Sequence, residues 1–251
     1  VFHITAQHEC RFNFALNSVQ PAWPELALPG AHSDIGGGYL PATRENIYLT
    51  RPEAVTVPLD TPLADTRTYR HAMKQLSILE SSAVAAPLIR TNDITADAWE
   101  DTRMPSHPRD GMQKRAFAAL TMKKRIVKND WSKVVLRVMI DAAQDAGVEF
   151  ESIDSTKPEY ALPAELMPLC DKAITSSKAA RLGKSTPSFT VAENDLVAQS
   201  YIHCSANWNS IVLDSKRKPY GGTSVSEILS FVNRPDENWQ RTTYNMDGNK
   251  R

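Results

Sequence analysis

Residues able to do acid–base chemistry crowd into the run Leu26-Ala27-Leu28-Pro29-Gly30-Ala31-His32-Ser33-Asp34-Ile35-Gly36-Gly37-Gly38-Tyr39. An apolar lead ends at a Pro-Gly break, and a His, a Ser and an Asp then meet three consecutive glycines. The lead reads as a buried strand closed by a turn. Carboxylate and imidazole groups just past such a strand stand where α/β sheets bind ligands. Glycines let the backbone take φ > 0 and approach another group closely. The same residues also suit a Gly-rich surface turn with a capping Asp. His32 and Asp34, two apart, could both reach a metal, but no third or fourth ligand accompanies them.

A second stretch, Asp195-Leu196-Val197-Ala198-Gln199-Ser200-Tyr201-Ile202-His203-Cys204-Ser205-Ala206, brings an apolar lead to His203 and a small polar pair. A lone His beside apolar residues is often a satisfied core histidine. Ser33, Ser205 and Ser210 do not stand in a nucleophile-elbow context, and no G-x-S-x-G occurs in the 251 residues.

The elements that must carry these groups read as alternating strands and helices. Residues 1–6 suggest a strand leading into Glu9, Arg11 and Phe14, which read as a solvated ion pair beside core aromatics. Residues 47–49 suggest a short strand. Steps of three and four between Tyr69, Met73, Leu76 and Leu79 predict an amphipathic helix over 63–82, with His71 off its stripe. Residues 87–108, with Trp99, Met104 and His107, look irregular. Residues 112–128 interleave Lys114, Arg115, Lys123, Lys124, Arg125 and Lys128 with apolar side chains. That run suits the solvated side of a packed element or an anionic membrane face. The clearest helix spans 130–146, with Asp130 as its cap, Gly147 at its end and a stripe of Val134, Val135, Val138, Met139, Ala142 and Ala146. From 157 to 187 the pattern is irregular, with a short helix near 166–173 and a mobile loop around Ser176, Ser177, Gly183, Lys184 and Ser185.

Composition sets outer limits. Twenty-nine basic and 29 acidic residues leave a formal charge of zero, so no long-range field draws the chain to nucleic acid. Cys10, Cys170 and Cys204 are odd in number and lack metal-ligand spacing, which argues against a disulfide framework or a zinc site. No cofactor or metal is expected. No apolar run nears the ~18 residues of a transmembrane helix, and no signal peptide is recognisable.

The run PGAHSDIGGGY resembles the signature of the DUF2235 family of α/β-hydrolases, which includes the type VI secretion phospholipase effectors of the Tle1 group. The resemblance implies that Asp34 is the acidic member of a Ser-Asp-His triad. It also implies that His203, in a run similar to the family's Y-[IV]-H-x-S, is the base. Cys204 replaces the Asp usual at the x position. Residues 130–150 and the tail from Asn233 to Arg241 are similar to further family segments. The family's elbow serine is absent from these residues, so the nucleophile is expected upstream of Val1. The chain is then expected to be a C-terminal portion, inactive in isolation.

The expected fold class is α/β: an α/β-hydrolase-like sheet flanked by helices, incomplete at its N-terminal side, with irregular inserted lid or docking segments. Residues 1–65 would hold the core strands with the acid loop, 66–129 an inserted lid or membrane-docking segment, and 130–251 the core helix and the return to His203. The implied function is hydrolysis of acyl esters of membrane glycerophospholipids. The implied partners are a type VI secretion spike protein, a cognate immunity protein and the upstream portion of the same polypeptide. Synthesis in the bacterial cytoplasm and action in the target cell's periplasm go with that reading. A metal-dependent hydrolase using His32 and Asp34, and a non-catalytic partner-docking module, are the alternatives.

Overall fold

The computed structural model describes residues 1–103, 111–213, 219–220 and 233–251. In chain order the elements are β1 (His3–Ala6), β2 (Leu16–Asn17), β3 (Glu25–Leu28), α1 (His32–Gly36), β4 (Ala42–Tyr48), β5 (Glu53–Pro58), α2 (Arg67–Ser81), α3 (Ala86–Thr91), β6 (Ile94–Arg103) and β7 (Gln113–Lys128). There follow α4 (Asp130–Asp145), α5 (Met167–Arg181), α6 (Val191–Ser200), β8 (Val212–Leu213), β9 (Pro219–Tyr220) and β10 (Thr243–Tyr244). The chain is a mixed helix-and-sheet protein with several sheets.

β1 and β3 pair in parallel, His3 opposite Glu25 through Ala6 opposite Leu28. Leu26 and Leu28 enter the main core against Trp131, Val134 and Val138 of α4 and Leu169, Cys170 and Ala173 of α5. The largest sheet is antiparallel and centred on β7, with β4 and β5 along one side and β6 along the other. It therefore unites strands from residues 1–65 with strands from 66–129. Ala118, Leu120 and Met122 of β7 join the main core. Phe117 and Ala119, on its other face, join Tyr48, Trp99 and Ile211 in a second cluster. The alternation of a strand thus feeds two cores at once.

Several expectations need correction. Residues 94–103 are a regular strand; Trp99 stacks on Phe117 with ring centroids 5.5 Å apart. Met104 and His107 lie outside the described residues. The basic run over 112–128 is the central strand, where Lys114 and Arg125 are buried. α5 continues to Arg181, so Ser176 and Ser177, expected in a mobile loop, are buried helical residues. In α2 the buried positions are Thr68, Ala72 and Leu79, while Met73 is exposed. Met139 of α4 and Ala146, just past its end, are exposed, and Asp130 is the first helical residue, salt-bridged to Lys133, while Asn129 is the cap position.

Candidate active site

β3 ends at Leu28, and the chain turns through Pro29 and Gly30 into the one-turn helix α1. Trp131 of α4 donates its indole N–H to the Pro29 carbonyl, which anchors the turn. Gly30 has φ +127°, and a Cβ added there would lie 2.9 Å from Asp34 Cβ. A side chain at residue 30 is therefore disfavoured by both backbone and space. The Gly30 N–H donates to His8 Nδ1 at 2.8 Å. Burial lowers the His8 pKa to about 4, so the ring is a neutral acceptor at pH 7. Gly37, at φ +77°, closes α1 with its N–H on the Ser33 carbonyl.

Asp34 points inward from this turn and is 2% exposed. Its Oδ2 accepts the Ala31 N–H at 2.8 Å and the His203 N–H at 3.0 Å. Its Oδ1 meets His203 Nδ1 at 2.7 Å, across 169 residues of sequence. His203 is 1% exposed and follows α6, whose start is fixed by a reciprocal cap between Thr190 and Glu193. A carboxylate only accepts, so Nδ1 carries the proton and the neutral ring presents a lone pair at Nε2. Nε2 is buried without a hydrogen-bond partner among the described residues. Tyr39 stacks on the imidazole, with centroids 3.6 Å apart and planes 15° apart. Burial, and then the charge of Asp34, push the Tyr39 hydroxyl upward, so it stays protonated.

Glu9 completes the surroundings. It is fully buried, which corrects the expectation of a solvated ion pair. It accepts from Arg11 Nε at 3.0 Å, from the Arg11 terminal nitrogen at 2.8 Å and from the His32 N–H at 3.1 Å. Ser205 Oγ donates to it at 3.4 Å. Burial pushes its carboxyl up, but the bonds from Arg11 and His32 outweigh that and hold it below its ordinary value. One carboxylate thereby joins the Asp34 segment to the His203 segment.

The sequence-predicted pair, Asp34 and His203, is thus in contact. His32 is exposed, edge-on to Phe14, and does not converge with Asp34. Among the described residues no cluster of three or more His, Cys, Asp or Glu could hold a metal. Ser33, Ser205 and Ser210 make no bond to Nε2. Cys10, Cys170 and Cys204 are free and buried. Burial takes the Cys10 thiol to about 12 and that of Cys204 well above its ordinary range, so both are poor nucleophiles. A cleft of 680 Å³ lined by Glu53, His71, Arg234 and Trp239 contains neither member of the pair. The cleft and the Asp34–His203 pair are therefore separate features of the fold. Sequence reasoning missed Glu45 and Arg125, which meet in the core beside His203 at 2.6 Å. Glu45 sits in the polar run Thr43-Arg44-Glu45-Asn46, where nothing marks it as the residue that turns inward.

The architecture defines a mixed α/β protein with a buried Asp–His pair at the exit of a parallel strand. No protein-family model matches the chain, and no curated protein matches it either. Among solved structures, the chain is similar to one described as the Tle1 effector bound to the VgrG spike from the Type 6 secretion system. The TM-score is 0.86 and the identity 39%, over 98% of this chain and 50% of that one. The chain spans half the length of that effector. No described helix is long and apolar enough to cross a membrane.

Proposed function

We propose that this chain is the acid–base part of a type VI secretion phospholipase. Asp34 and His203 would act as two members of a Ser-Asp-His triad that hydrolyses acyl esters of membrane glycerophospholipids. The observation that carries the reading is the buried 2.7 Å bond from His203 Nδ1 to Asp34, with Nε2 left without a partner among the described residues. Asp34 holds the ring in one tautomer and stabilises the imidazolium that forms during reaction. Nε2 takes the proton of the nucleophile and returns it to the leaving alcohol. The nucleophilic serine, in this reading, belongs to polypeptide outside these 251 residues. The parallel pair β1–β3 would be the edge onto which further α/β-hydrolase strands add.

The similarity to a spike-bound effector supports delivery on a VgrG-type spike into a target cell. An immunity protein guarding the producer and action in the target's periplasm belong to the same proposal. The test is fatty-acid release from glycerophospholipid vesicles by the full-length polypeptide that carries this chain. Asp34→Asn and His203→Ala, each checked for folding, are expected to lower kcat by about 10³-fold or more. Near-full activity in both variants would overturn the reading and favour a docking role for the glycine-rich turn.

A further inference from the structure

The segment that carries His203 has no regular structure of its own. α6 ends at Ser200, and residues 202–206 are neither helix nor strand. Something else must fix the direction of the imidazole. The source is a bulge in β7. Glu45 stands opposite Arg125, but Ile47 stands opposite Met122, so β7 holds one extra residue over that interval. Lys124 absorbs the irregularity at φ +61°, and its N–H donates to Asn46 Oδ1 at 2.8 Å. A bulge of this kind re-aims the side chains beside it.

The result inverts the ordinary partition of side chains. Arg125 is 6% exposed, whereas its neighbour Ile126 is 63% exposed. Burying a guanidinium is costly unless its donors find partners. Here they do. One terminal nitrogen donates to Glu45 Oε2 at 2.6 Å. The other donates to the Ala198 carbonyl and, at 2.6 Å, to the Ile202 carbonyl. Nε donates to Asn92 Oδ1 at 2.9 Å. The remaining oxygen of Glu45 accepts the Cys204 N–H at 3.0 Å. With the His203 N–H on Asp34, three consecutive residues each have a main-chain group held by a buried charged side chain.

We propose that Glu45 and Arg125 are positioning residues for the hydrolytic reaction. They form a clamp that fixes the backbone on both sides of His203, so that Nδ1 meets Asp34 and Nε2 faces the reacting atoms. This inference rests on the hydrolase reading of the dyad. Neither side chain bonds the ring; both act through the main chain. The fork of an arginine suits the task, because one planar group reaches a carboxylate, two carbonyls and an amide oxygen together.

Two readouts test it. The first is steady-state hydrolysis by the full-length polypeptide with Glu45→Gln or Arg125→Lys. The amide introduced by Glu45→Gln would turn a donor toward either Arg125 or the Cys204 N–H. The ammonium introduced by Arg125→Lys cannot span the same acceptors. A displacement near 1 Å costs about 10²-fold, so kcat is expected to fall about 10- to 100-fold with KM little changed. The second readout needs no activity. In the ¹⁵N-histidine-labelled full-length polypeptide, the His203 Nδ1–H resonance, assigned by its loss in His203→Ala, is expected to broaden or vanish in both variants while far-UV circular dichroism is retained. Folded variants with a lowered Tm but wild-type kcat and an unchanged resonance would overturn the proposal.

If both variants fail to fold, Asn92→Ala decides. It releases Nε while keeping both charges, and is expected to lower kcat about threefold or more and weaken the same resonance. Wild-type values for both would overturn the clamp. Should Asp34→Asn and His203→Ala leave hydrolysis intact, the hydrolase reading falls. The resonance then still reports whether the pair positions the ring.

Discussion

Replacing Gly30 by Ala probes the turn that aims Asp34. At φ +127° an alanine is strained, at a cost of about 1–3 kcal/mol. The new methyl would stand 2.9 Å from Asp34 Cβ. Carbon atoms pack best at about 3.5–4.0 Å, so Asp34 must retreat by roughly 0.6 Å or more. The bond to His203 Nδ1 is 2.7 Å long and buried, so a retreat on that scale breaks its geometry. The expected outcomes are a fall in Tm of about 5 °C, from roughly 2–4 °C per kcal/mol in a chain of this size, and a loss in kcat of about 10- to 100-fold. The assays are thermal unfolding by circular dichroism and fatty-acid release by the full-length polypeptide. The loss in rate should exceed anything the fall in Tm explains at the assay temperature. A Gly30→Ala variant with wild-type Tm and wild-type kcat would refute both the steric argument and the role given to Asp34.

Two further outcomes concern the supports of that turn. His8 has a folded-state pKa of about 4 against an ordinary 6.5, so its contribution to stability is complete above pH 6.5 and is lost as pH falls toward 4. The gap between those two values corresponds to roughly 3 kcal/mol. Urea midpoints of the wild type should fall over that interval, and His8→Asn, which keeps an acceptor for the Gly30 N–H but cannot titrate, should flatten the slope. Trp131→Phe removes the indole N–H from the Pro29 carbonyl and leaves space in the core. A destabilisation of about 2–4 kcal/mol is expected by urea titration; less than about 0.5 kcal/mol would show that the turn does not depend on it.

The parts of the fold legible in the sequence are those whose signal is local. Leu26 and Leu28 alternate, Pro29-Gly30 breaks the strand, and Asp34 follows within one turn. The α4 valines recur on one face. The central sheet was not legible because its logic is non-local. Three cations of β7 are answered by carboxylates elsewhere: Lys114 by Glu100, Lys123 by Asp97, Arg125 by Glu45. Read along the chain, that pattern is a basic run followed by nothing that explains it, and the acids of β6 look like an irregular polar segment. Arg125 was hidden further by the bulge, since a regular alternation through Met122 would not predict an inward arginine beside an outward isoleucine. The Asp34–His203 contact was anticipated through the family resemblance, because a lone His after an apolar lead does not announce its partner.

Buried charge around the dyad is concentrated where two irregular segments must be held together. Glu9 ties the His32 N–H to Ser205, and Glu45 ties Arg125 to the Cys204 N–H. On the His203 segment these ties fall at Ser205 and Cys204, directly after the residue bonded to Asp34. A carboxylate buried for stability alone is a poor choice, since well-packed apolar residues of similar volume often serve as well or better. What an apolar residue cannot do is accept an N–H from a loop and dictate its direction. The desolvation of Glu9 and Glu45 is therefore intelligible as a cost of orientation. It is incurred beside a histidine whose Nε2 would have to meet a reacting atom within a fraction of an ångström.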